Sequence, residues 1–77
     1  MTIDFASMLS NEQKRQLIEN RIQQFVVEGY QYTLNKQTAE RIGSEQQLET
    51  ANRNLAVLEE AIRVHKEELD KLPIDEQ

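Results

Sequence analysis

The sequence predicts an all-α protein: a long antiparallel helical hairpin with a short N-terminal helical segment, assembling into a helical bundle. Three observations predict it. Leu48, Leu55, Ile62 and Leu69 recur every seven residues, the spacing that keeps one side of a helix against a partner helix. Gly43-Ser44 pairs a helix-ending residue with a helix-starting one near the middle of the chain. Breakers are scarce, with two glycines and one proline in 77 residues, so little interrupts long helices.

The chain divides into a segment at 2–9, helix one at 11–42, helix two at 45–72 and an acidic tail at 73–77, all within a single domain at 1–77. In the first segment Ile3, Phe5, Met8 and Leu9 are apolar, and Asp4 could cap one turn. The segment is expected to fold as a flap over the end or flank of the bundle; the alternative is an anchor for a partner. Ser10, followed three residues later by Gln13, has the form of a capping box opening helix one.

Helix one has a plausible inner face in Ile18, Ile22, Phe25, Gly29 and Tyr32. Its centre is crowded, because Val26, Val27, Tyr30, Thr33 and Leu34 point elsewhere, and a helix apolar nearly all round is buried on most sides. A β-strand is the rival reading of this run of β-branched and aromatic residues, but helical patterning continues on both sides of it. Gly29 costs the helix about 1 kcal/mol relative to alanine. It marks a close helix crossing, with Tyr30 and Tyr32 covering the gap, or else a mild kink or a glycine with no packing role.

Ser44 and Gln47 repeat the capping signature at the start of helix two. Ala51, Leu58, His65 and Leu72 fill the seam positions between the heptad leucines. Glu49 with Arg53, Glu59 with Arg63 and Glu67 with Lys71 are spaced as i,i+4 ion pairs. A second stripe of Val57, Ala61 and Val64 widens the apolar arc beyond what one partner helix covers. Leu72-Pro73 ends the helix, since proline disfavours helical backbone in the residue before it. A short connection makes the two helices antiparallel neighbours. The surplus apolar surface then predicts a homo-oligomer, a dimer first, as in a four-helix bundle.

Composition excludes several functions. Without cysteine there is neither a disulfide framework nor a zinc finger. Apolar residues are dispersed, so no transmembrane span or signal-peptide core is expected. The net charge of −5 argues against general binding to nucleic acid or an anionic membrane. The charge is uneven, with five basic and four acidic groups over 11–43 but four basic and nine acidic over 44–77. His65 is the sole histidine, and it reads as a seam residue with a satisfied ring nitrogen. The Glu-x-x-His pairs of di-iron bundles are absent, since position 62 is isoleucine. There is no phosphate-binding glycine loop and no nucleophile with a matching base. Neither catalysis nor a metal or cofactor is expected.

The segments Arg21–Tyr32 (RIQQFVVEGYQY) and Ile62–Leu72 (IRVHKEELDKL) resemble the small acidic helical accessory proteins of tailed bacteriophages. That likeness is one of style over most of the chain, without a diagnostic motif, and carries over no active-site residue. It implies a viral accessory protein in the cytoplasm of an infected cell: an assembly chaperone, a small virion component or an inhibitor. A hairpin dimer that binds RNA shares the architecture, but the acidic second helix here departs from it.

The functional expectation is therefore a non-enzymatic oligomeric hairpin acting by protein binding, possible alternatives being a structural virion or scaffold component and an oligomer that binds nucleic acid or a nucleotide. The expected core is Ile18, Ile22, Phe25, Leu48, Leu55, Leu58, Ile62 and Leu69. The expected interface comprises Phe25, Val27, Tyr30, Leu34, Val57, Ala61 and Val64. Arg21, Tyr32 and Lys36, beside Tyr30, are the candidate contacts for a small ligand held between subunits.

Overall fold

A computed structural model of the chain describes residues 2–73; the end of the expected acidic tail lies outside the described residues. Two long helices account for most of it, α1 over Asn11–Ile42 and α2 over Glu45–Lys71. They pack side by side as an antiparallel hairpin, preceded by a single 3-10 turn at Phe5–Met8.

Each boundary has a local cause. At the start of α1, the Gln13 backbone N–H donates to Ser10 Oγ at 3.1 Å, and the Ser10 N–H donates to Gln13 Oε1 at 2.9 Å. This is the reciprocal capping box expected. At the other end Gly43 takes φ 74°, the left-handed conformation that L side chains resist, and its N–H donates to the Ala39 carbonyl. The Ser44 N–H converges on the same carbonyl at 3.0 Å. Ser44 Oγ then accepts from the Gln47 N–H at 3.2 Å, but Gln47 returns no bond among the described residues, so this second box is closed on one side only. α2 stops at Lys71, one residue earlier than expected. Leu72 is extended, at φ −74° and ψ 137°, as the residue before a proline should be.

The layer measures 53 × 36 × 14 Å, with a radius of gyration of 17.0 Å. A compact chain of this length would have a radius near 11–12 Å. The thin dimension is close to that of one helix with its side chains, so the helices have no third layer to pack against. The seam is the one expected, but the core within it is shallow. Ala39, Ala51 and Leu58 are buried, whereas Ile18, Ile22, Phe25, Leu48, Leu55, Ile62 and Leu69 are half-buried. Two of the three buried residues are alanines beside the turn, where a small side chain is covered by the neighbouring helix alone. The larger side chains further along reach past its edge.

Several local expectations are corrected. Of the three i,i+4 pairs only Glu49 with Arg53 forms, at 3.3 Å. Arg63 turns instead to Glu60, and Lys71 to Glu68 at 3.2 Å, both i,i+3 contacts equally available on a helix face. The Asp4 carboxylate does not cap the N-terminal turn. The Asp4 main-chain carbonyl does the holding, accepting from Ser7 N–H at 3.2 Å and Ser7 Oγ at 2.9 Å. That turn is a poor flap, since Ile3, Phe5 and Met8 remain 59–72% exposed. Gly29 is not a close crossing: a Cβ added there would meet nothing within 4 Å.

The two glycines should therefore respond in opposite directions. Gly43→Ala forces a side chain into the left-handed region and should destabilise the fold by about 1 kcal/mol. Gly29→Ala adds a methyl into open space in mid-helix and should stabilise it by about 0.5–1 kcal/mol. Urea titration at fixed protein concentration measures both, and equal shifts of the same sign would contradict the assignment.

Candidate interaction surface

One polar cluster spans the seam toward the open end of the hairpin. His65 is half-buried in α2, and its Nδ1 lies 2.7 Å from the Ala61 carbonyl one turn back. Across the seam, Arg21 Nε donates to His65 Nε2 at 3.1 Å. Arginine has no acceptor, so Nε2 must accept and the ring proton sits on Nδ1, donated to Ala61. The Phe25 ring meets the imidazole edge-on, with centroids 4.9 Å apart and planes at 79°. The Arg21 guanidinium also stands 5.4 Å from the centre of the Phe25 ring. Both ring nitrogens of His65 are thus engaged within the hairpin, and this cluster ties α1 to α2 in one register.

The expected interface residues do not form one surface. Phe25 and Ala61 are half-buried, turned toward the seam rather than away from it. The others are open to water: Val27 51%, Tyr30 65%, Leu34 43%, Val57 61% and Val64 46%. Leu17 and Val64 line the same cleft, so they share a face of the two-helix layer. Val57 lies within about 20° of Val64 around α2, at ~100° per residue, and belongs to that face too. Val26 is nine residues from Leu17, which is half a turn of rotation. It therefore stands on the opposite face, with Tyr30 a further ~40° round. Val27 and Leu34, seven residues apart and so within about 20° of each other, point away from α2 altogether. The single contact set expected from the sequence is split between two flanks on opposite sides of the layer and the outer edge of α1.

Nor are the candidate ligand contacts brought together. Arg21 is occupied by His65. Tyr32 lies eleven residues on, ~16 Å along the axis, in an uncharged cleft of about 470 Å³ near the turn with Asn35, Gln47, Thr50 and Asn54. Lys36 is half-buried but does not line that cleft, and Tyr30 faces out on the far flank. Among the described residues no group of three or more His, Cys, Asp or Glu side chains is placed to hold a metal ion. No helix among them is long and apolar enough to cross a membrane.

Two contributors were not singled out in the sequence. Ala39 is the most buried of the described side chains, at 1% exposure; its only signal is its register with the inner face of α1. Arg15 donates from Nη2 to the Pro73 carbonyl at 2.6 Å and lies 3.8 Å from Glu12, so it fastens the end of α2 to the start of α1. A lone arginine on a helix gives no hint that a carbonyl 58 residues away will accept from it. Comparison with protein-family models, characterised proteins and solved structures finds no match to the chain.

The seam cluster can be tested by a double-mutant cycle on Arg21→Met and His65→Leu. The two changes should be coupled by about 0.5–1 kcal/mol, the usual size for a partly exposed side-chain hydrogen bond. Simple additivity in chemical denaturation would show that Arg21 and His65 do not act as a pair.

Proposed function

We propose that this is a non-enzymatic helical-hairpin protein that works as a homo-oligomer, a dimer first, and acts by binding another protein. One observation carries the reading. Among the described residues twelve large apolar side chains are at least 39% exposed and three residues are buried, so the hairpin leaves many of its apolar side chains open to water. Exposed apolar patches rimmed by polar residues mark association sites in water-exposed proteins.

The division into two flanks sharpens the proposal. A two-fold dimer joins the same patch on each copy, so one dimer contact covers one flank and leaves the other. In this reading copies pair through the α2 flank at Val57 and Val64, and the α1 flank at Val26 and Tyr30, with Leu34 at its outer edge, is presented to the target. The resemblance to phage accessory proteins supports a target in the cytoplasm of an infected bacterium. Nucleic acid is not the partner favoured here. Arg21 is held by His65, Lys14 lines a cleft at the open end and Lys36 is half-buried, so these three do not make a continuous basic stripe.

The two-flank arrangement also favours one alternative, a structural virion or scaffold component. If both flanks took copies of the chain, the contacts would be heterologous and could build an open stack.

Light scattering across concentration tests the assembly. Val57→Glu should lower the oligomer mass, while Glu60→Gln, on the exposed side of the same helix, should leave it unchanged; a folded single chain at low micromolar concentration in the wild type would refute the proposal. Binding is tested by recovering partners from the natural source. A stoichiometric protein lost from Tyr30→Glu but kept by Glu60→Gln supports the binding reading, whereas ordered polymers with no other protein support the scaffold.

A further inference from the structure

At the open end of the hairpin an apolar cleft of about 340 Å³ runs between the N-terminal turn and the two helices, lined by Leu9, Leu17, Ile18, Val64 and Leu72. The turn contributes Ala6 to its wall, yet its larger side chains do not fill it: Phe5 is 72% exposed and Met8 69%. Cleft and unsheltered side chains therefore sit beside each other without meeting. Charge matches in the same way. Asp4, adjacent to Phe5, makes no side-chain hydrogen bond or ion pair among the described residues. Three charged residues stand on the cleft wall: Glu68 and Lys71 pair with each other at 3.2 Å, which leaves Lys14 as the cation without an ion pair among the described residues.

We infer that the cleft is the seat for the N-terminal turn of a second copy, and that two copies exchange these turns reciprocally. Phe5 enters the partner's cleft between Leu17 and Val64, and Asp4 comes to rest beside the partner's Lys14. A two-fold relation makes both insertions at once. The contact is continuous with the α2 flank, since Val64 belongs to both, so a single interface covers Val57, Val64, the cleft and the turn. A patch that must complement itself needs both signs of charge, and this one has them in Asp4 and Lys14. The inference deepens the pairing proposed above and rests on it.

Phe5 is exposed in the single chain, so Phe5→Asp should leave the hairpin folded. It should weaken self-association about tenfold or more, the equivalent of losing one buried aromatic side chain. The chain has no cysteine, which permits a direct test in the full-length protein. Phe5→Cys and Leu17→Cys, prepared separately and mixed under mild oxidation, should give a mixed disulfide dimer well above the background of Phe5→Cys mixed with Arg53→Cys at the turn end. Wild-type self-association of Phe5→Asp, or a mixed yield at background, would overturn the exchange. So would ring closure within single chains of the Phe5→Cys, Leu17→Cys double variant at high dilution, which would place the turn in its own cleft. If Val57→Glu weakens the assembly and Phe5→Asp does not, only the exchange fails. If the wild type is a single chain throughout, the pairing itself fails.

Discussion

Two helices lying side by side can shelter one strip of each other and no more. This constraint governs the molecule. The seam from Ile18 to Ala39 on α1 and from Leu48 to Leu69 on α2 is continuous, yet it holds only Ala39, Ala51 and Leu58 below the surface. The other large seam side chains, from Ile18 and Phe25 to Leu55 and Leu69, are covered on the side of the partner helix and open at the edges of the layer. The hydrophobic drive that folds the hairpin is thus only partly spent by folding it, and the remainder sits on the two flanks, available to other chains.

Register converts that general excess into particular surfaces. The Gly43 turn sets which residues of α2 lie opposite which of α1. Arg21 with His65 and Arg15 with the Pro73 carbonyl hold the same alignment toward the open end. Because the alignment is antiparallel, a stripe displaced to one side on α1 and a stripe displaced on α2 can land on the same face or on opposite faces, depending on the sense of each displacement. Here they land on opposite faces. A protein with one exposed face can satisfy itself by pairing; one with two needs either a second kind of partner or a growing array. The functional proposal follows from this difference more than from the amount of exposed surface.

Much of the fold was legible because its causes are local. Heptad spacing, the Ser10–Gln13 box, the left-handed glycine and the pre-proline stop each act within a few residues of chain, and the helix limits came out within one residue. The partners of Arg63 and Lys71 were misjudged because i,i+3 and i,i+4 neighbours are nearly equivalent on a helix surface. The Arg15 contact was invisible because it spans 58 residues. Gly29 was ambiguous for a similar reason: whether a helical glycine admits a neighbour depends on what lies opposite, and here nothing does.

The candidate surface was legible in content but not in arrangement. Sequence periodicity identifies Val27, Tyr30, Leu34, Val57 and Val64 as surplus to a single seam, because an angle around a helix axis is a property of one helix. Whether two such angles face the same way is a property of the pair. The sequence by itself determined the two helices, their caps, their seam and the presence of unmatched apolar side chains, all consequences of local backbone preference and helical pitch. Only the tertiary structure decided that Phe25 and Ala61 turn inward, that the two stripes lie back to back and that the N-terminal turn leaves a cleft beside its own exposed aromatic ring. Those outcomes depend on how one helix is rotated and aligned against the other.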